Sequence, residues 1–149
     1  MMTREAVILS VPHTGTRFLK ERLGIEHHVH ANSGWMGMYD FCLDREAIYV
    51  PLRRPHEVWR SWCRRHYGRE PLEWAGQFFA GWFNVNALSK LFPVEFIAVD
   101  RPGHPLIDDW RPVGEYEGRP TDWKLHKCDL RIIYTLPYIV DIYGRHTGD

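Results

Sequence analysis

Residues 6–23, AVILSVPHTGTRFLKERL, constrain this chain more than any other stretch. A β-rich apolar run, Ala6, Val7, Ile8 and Leu9, leads into a tight polar turn, Pro12-His13-Thr14-Gly15-Thr16-Arg17. Phe18, Leu19 and Leu23 then recur at helical spacing, so the pattern predicts strand, turn and helix in immediate succession. The first N–H groups of such a helix have no partner inside it. With the positive end of the helix dipole, they form a socket for a phosphate or sulfate. Gly15 lets the backbone approach the anion closely, and the Thr14 and Thr16 hydroxyls are expected to add hydrogen bonds. An ordinary turn with a helix cap gives the same pattern, so the turn alone leaves both readings open. The Walker form is absent, because no Gly-Lys pair occurs here.

A chain of 149 residues is long enough for one domain with a proper core, and residues 1–149 are read as one. A net charge of zero argues against a wholly basic nucleic-acid binder. The charge is nonetheless uneven. Arginine outnumbers lysine fifteen to four, and six arginines lie within residues 53–69. Cys42, Cys63 and Cys128 are odd in number and form no C-x-x-C pair, which fits reduced thiols and a cytoplasmic location better than a disulfide framework. No signal peptide is expected, since the N-terminus turns at once into Pro-His-Thr-Gly, and no apolar run reaches the length of a membrane span.

Further along, Gly24 suits a helix C-cap, and residues 26–31 read as a short strand on which His28 and His30 share a face opposite His27. Residues 35–44 are mixed, with room for one or two helical turns. Residues 47–52 are a third apolar strand ending at Arg53, and a helix is expected over about 55–66. Pro71 opens another helix. Its stripe of Trp74, Phe78, Trp82, Val85 and Leu88 is assigned to core packing. A fourth strand ends at Asp100, residues 110–123 look irregular, and residues 129–143 suit a final helix interrupted at Pro137. Alternating strands and helices predict an α/β fold: a three-layer αβα arrangement around a mostly parallel sheet of about four strands, with right-handed crossovers. The loops at residues 12–16, 31–34, 53–55 and 101–105 then converge on one edge, where such sheets bind ligands.

The stretch IYVPLRRPHEVWRSW, residues 48–62, carries the more specific signal. Arg53 stands at a strand tip, and Ser61 follows eight residues later on the next helix. A guanidinium fork and a hydroxyl in that arrangement suit a second phosphate. Arg60, Arg64 and Arg65 are better read as solvated.

With these two motifs in order, the sequence resembles the sulfotransferases that use 3′-phosphoadenosine 5′-phosphosulfate (PAPS). Their first signature is a strand, then P-K-[ST]-G-T-[TR], then a helix. It corresponds here to Pro12-His13-Thr14-Gly15-Thr16-Arg17. Their second, a strand ending in Arg with Asn/Asp-Pro-x-[DE]-Val and a later Ser, corresponds to Arg53-Arg54-Pro55-His56-Glu57-Val58 with Ser61. The resemblance covers roughly the first 65 residues. It implies a P-loop/sulfotransferase-like fold, with the 5′-phosphosulfate at residues 12–17 and the 3′-phosphate on Arg53 and Ser61. A fainter echo of the family's late Gly-Asp-Trp-Lys loop lies at residues 116–124. There only Arg119 could stand for the family's arginine.

The implied reaction is sulfuryl transfer from PAPS, as co-substrate, to an acceptor hydroxyl or amine of unknown identity, with no metal. The family places a Lys in the first loop, where this chain has His13. A cationic imidazole could donate the same hydrogen bond, and Arg17 could supply a permanent charge. The family's base, a His or in some branches a Glu on the preceding strand, maps to His30, then His28, then Glu26. Metal binding or satisfied core histidines remain alternatives for that cluster. Two rival functions also stay open. One is a P-loop-type nucleotide kinase or phosphotransferase with Asp100 on Mg²⁺. The other is a non-catalytic nucleotide-binding protein on the same fold, reading phosphates through the arginines of 53–69. The chain is short for the family, which leaves an open cleft, a homo-oligomer or a large acceptor as ways to complete the site.

Overall fold

A computed structural model describes residues 5–12, 14–54, 57–59, 61, 71–101, 103–107, 139 and 141–145, with the backbone alone at 71–75 and 78. In order come β1 (Ala6–Ser10), α1 (Thr16–Leu23), β2 (His28–His30), α2 (Trp35–Cys42), β3 (Ala47–Leu52), α3 (Pro71–Leu91) and β4 (Glu95–Ala98). The four strands form one sheet in the order β2-β1-β3-β4, and every pairing is parallel. The α/β architecture and parallel four-stranded sheet expected from the alternating pattern are therefore present.

Each strand's composition matches its place. Four consecutive residues of β1, Val7 to Ser10, have no exposed surface, as a strand covered on both faces requires. β2 is an edge strand, and its His-Val-His residues are half-buried. It is shorter than its sequence pattern because it pairs only with the last three residues of β1, from Ile8↔His28 to Ser10↔His30. The period-2 alternation sorts side chains between two apolar clusters. Val7 and Leu9 join Met38 and Cys42 of α2 and Trp82, Val85 and Leu88 of α3 on one face. Ile8 joins Leu19 of α1 with Ile25, Ile97, Val99 and Ile107 on the other. Helices thus cover both faces, and the expected stripe of α3 is core where its side chains are described. α3 passes Val11 at Gly81, where an added Cβ would make an ordinary van der Waals contact at 3.4 Å.

Gly24 closes α1 in the left-handed region (φ 65°), donating its N–H to the Lys20 carbonyl, as its sequence position predicts. Residues 35–42, mixed in sequence, form a full helix. Ile139 and residues 141–145 are helical, two residues past the expected end of the last helix. His13, Pro55, Pro137, Arg119 and the 116–124 echo lie outside the described residues, as do residues 110–123.

Candidate functional site

The sheet's strand order reverses between its two central strands: β1 leads outward to β2, and β3 leads outward to β4. In open parallel sheets this reversal opens a crevice beyond the carboxyl ends of the strands concerned. The pairing marks the place. β1 and β3 stay in register only to Ile8↔Tyr49, while β1 stays with β2 through Ser10↔His30 and β3 stays with β4 through Leu52↔Ala98. The sheet therefore parts between β1 and β3 at its carboxyl edge. There Pro51 contributes no N–H to either ladder. The turn after β1 and the tip of β3, which carry the two sequence motifs, flank this parting.

On the β1 side, Gly15 is the N-cap of α1 with φ 94° and ψ 29°, a conformation that costs a residue with a Cβ roughly 1–2 kcal/mol. No side chain caps the helix, and its first internal bond runs from the Leu19 N–H to the Gly15 carbonyl. The N–H groups of residues 16–18 therefore precede the helical ladder, at the positive end of the dipole. The two threonines behave differently from expectation. Buried Thr14 donates its hydroxyl to the Val11 carbonyl at 2.6 Å, and Thr16 donates to the Ser10 hydroxyl at 2.8 Å. Both protons are spent inside the protein, because the turn must satisfy its own buried oxygens first. An anion here would rely on main-chain N–H groups. Pro12 is half-buried, and Arg17 is exposed on the first turn of α1.

On the β3 side, Arg53 is 3% exposed and its Nε lies 3.6 Å from a carboxylate oxygen of Glu57. Alternation along β3 assigns it to the face of Tyr49, the face covered by α1. The chain turns helical directly afterwards, with the Arg54 carbonyl accepting from the N–H groups of Glu57 and Val58. Ser61, one turn on, is also buried. Both members of the second motif are thus drawn into the protein, whereas Arg54 is exposed.

His28 and His30 share one face of β2, as the strand period predicts, with ring centroids 4.9 Å apart in an edge-to-face contact. His30 Nδ1 lies 3.4 Å from the Ser10 hydroxyl, which ties it to the Thr16 end of α1. His27 points the other way, within 3.6 Å of Glu5, and Glu26 is exposed. Among the described residues no group of three or more His, Cys, Asp or Glu side chains gathers as a metal's ligands would.

Burial holds the His30 imidazole below its ordinary pKa, with His28 adding to the effect. Burial, then Lys20, does the same to His28. Both rings therefore bind fewer protons when folded than when unfolded, which sets the sign of their linkage to stability. Below the ordinary value of 6.5 the unfolded chain takes up protons first, so the folded state loses stability as pH falls. A thermal melting series from pH 7.5 to 5 is expected to show Tm falling below about pH 6.5, with a shallower fall in His30→Gln. An unchanged slope in that variant would mean that His30 does not carry the effect.

The tip of β4 lies across the crevice from the histidines. Asp100 accepts the Arg54 N–H at 2.9 Å and the Tyr143 hydroxyl at 3.2 Å, with Arg101 Nε 3.6 Å away. Arg101 also bonds the Tyr143 hydroxyl and lies over its ring. Burial, followed by Asp100, pushes the Tyr143 phenol above its ordinary pKa. The Asp100 carboxylate is thus engaged by two donors and a neighbouring cation, an arrangement that fits a structural clasp better than a Mg²⁺ ligand.

Sequence reading missed three features of this edge: Ser10, the Asp100–Tyr143 clasp, and the parting of the sheet. A lone Ser closing an otherwise apolar buried strand was the one available signal. Among the described residues, no helix is long and apolar enough to cross a membrane. The chain matches no protein-family model, no curated protein and no solved structure.

Proposed function

We propose that this chain is a PAPS-dependent sulfotransferase whose nucleotide lies across the crevice between β1 and β3. The supporting observation is adjacency: a glycine-opened helix N-terminus and a buried arginine at a strand tip lie on neighbouring parallel strands, where the strand order reverses. A nucleotide with phosphates at both its 3′ and 5′ positions suits two such sites, one of main-chain N–H groups and one built on a guanidinium. In this reading the turn from Pro12 through Arg17, His13 included, receives the 5′-phosphosulfate, and Arg53 with Ser61 receives the 3′-phosphate. PAPS supplies an activated sulfuryl group, and the protein's part is to position it and balance charge.

His30 is the preferred base. It ends β2 beside the turn, while His28 lies about 6.6 Å further back along the strand. A neutral imidazole, favoured by burial, can take the acceptor's proton at Nε2. Incubation with ³⁵S-labelled PAPS and a cell lysate should label an acceptor. His30→Ala should cut that labelling by about a hundredfold or more while nucleotide affinity holds. Full activity in the variant would remove His30 from the mechanism, and no labelling by the unmodified protein would refute the enzyme reading.

A further inference from the structure

We propose that the outward face of α3 is the contact surface for a second copy of this chain, the two helices packing antiparallel about a two-fold axis between Gly81 and Trp82. Trp82, Val85 and Leu88 mark the inward face of α3, in the larger apolar cluster. Helical geometry puts Gly76, Ala80, Phe83 and Ala87 on the opposite side, with Lys90 and Leu91 at its C-terminal end. Phe83 is 50% exposed and Leu91 57%, more than their share for large apolar side chains. Gly76 is exposed as well, with nothing within 4 Å of where a Cβ would stand. The outward side of a surface helix is ordinarily polar and charged. Here no charged residue occurs between Glu73 and Lys90, so the helix reads as one covered on both sides. α2 lies alongside it: Asn32 donates to the Gln77 side chain at 3.0 Å, and the Tyr39 and Phe92 ring centroids are 5.2 Å apart. Trp35 and Met36 of α2 are exposed too and widen the apolar face.

The face is complementary to itself. The intervals along Gly76, Ala80, Phe83 and Ala87 are four, three and four, the same from either end. A two-fold contact joins one surface to its own copy, so its pattern must survive reversal. With the axis between residues 81 and 82, Gly76 of one copy comes level with Ala87 of the other, and Ala80 with Phe83. Each Phe83 ring then falls opposite a small residue, which lets two helices pack closely. The same reversal brings position 73, a glutamate, level with position 90, a lysine, and symmetry repeats the pair at the other end. Opposite charges therefore meet at both ends of the contact, and the antiparallel dipoles add to the attraction. Other occupants fit less well. A helix that lies on a lipid surface carries Lys and Arg beside its apolar face, whereas this one carries Gln77 and Asn84 there. A nucleic acid would call for a basic stripe. The proposal does not depend on the sulfotransferase reading.

Sedimentation equilibrium of the full chain tests it. The unmodified protein is expected to dimerise with a Kd of micromolar order, since one helix face with its flank is small for an interface. A chain that stays monomeric up to about 1 mM would overturn the proposal. Phe83→Glu, at an exposed position, should keep the unmodified circular dichroism and weaken the dimer by about tenfold or more. A dimer of unchanged strength would mean that the copies meet elsewhere, which also overturns it. The two ends give a second test that leaves the apolar face intact. Lys90→Glu and Glu73→Lys should each weaken self-association by about threefold or more, as like charges replace opposite ones at both ends. Mixed in equal amounts, the two variants should pair with each other as tightly as the unmodified chain does. Position 73 of each then meets the opposite charge at position 90 of the other. A mixture that fails to recover would refute the antiparallel register.

Discussion

Replacing Arg53 with alanine is expected to weaken PAPS binding by about 1.5–3 kcal/mol, roughly ten- to a hundredfold, while adenosine 5′-phosphosulfate loses much less. The difference follows from the one group the two ligands do not share, the 3′-phosphate. Arg53 is nearly enclosed, so its guanidinium acts in a setting of reduced screening, where a charge-assisted fork is worth more than on an open surface. The same burial means that truncation also disturbs structure: it removes the partner of Glu57 and opens space at the tip of β3. A general disturbance would weaken both ligands alike. Paired calorimetric titrations therefore separate the roles, and equal losses would refute a 3′-phosphate contact.

Trp82→Ala should be the most destabilising single change among the described residues, at about 3–5 kcal/mol and a Tm drop on the order of 10 °C. Trp82 is fully buried in the larger apolar cluster, where α3 meets β1 and β3 alongside Leu9, Val50 and Leu52. Alanine would remove most of an indole's contacts and leave a cavity that α3 cannot easily close. Asn84 of that helix bonds the Ala31 carbonyl at 2.8 Å, which fixes its position. Calorimetric or chemical unfolding measures the loss directly. A change below 1 kcal/mol would show that α3 repacks freely and is not the anchor of that face.

These elements differ in how far local sequence determines them. β1, β3 and α3 are legible because their signals are local: a continuous apolar run for strands covered on both faces, and a recurrence at three and four for the helix. The positive φ of Gly15 and Gly24 is legible for the same reason, since a helix boundary falls beside each. The site's finer structure is set by distant partners. Whether the Thr16 hydroxyl faces a ligand or the protein depends on Ser10 being buried beside it. Ser10 in turn meets His30 only because β1 and β2 pair in one register across a gap of 20 residues. The clasp between Asp100 and Tyr143 spans 43 residues and has no local signature. Nor does any local pattern disclose that the β1–β3 ladder stops at Tyr49.

The central claim is that one bisphosphate nucleotide bridges the turn after β1 and the tip of β3. Titrating the unmodified protein with adenosine 3′,5′-bisphosphate and with adenosine 5′-monophosphate, both in metal-free buffer, tests it most directly. The account predicts saturable one-to-one binding of the bisphosphate, about tenfold or more tighter than the monophosphate. Equal affinity for the two, or binding only of ATP with Mg²⁺, would contradict it.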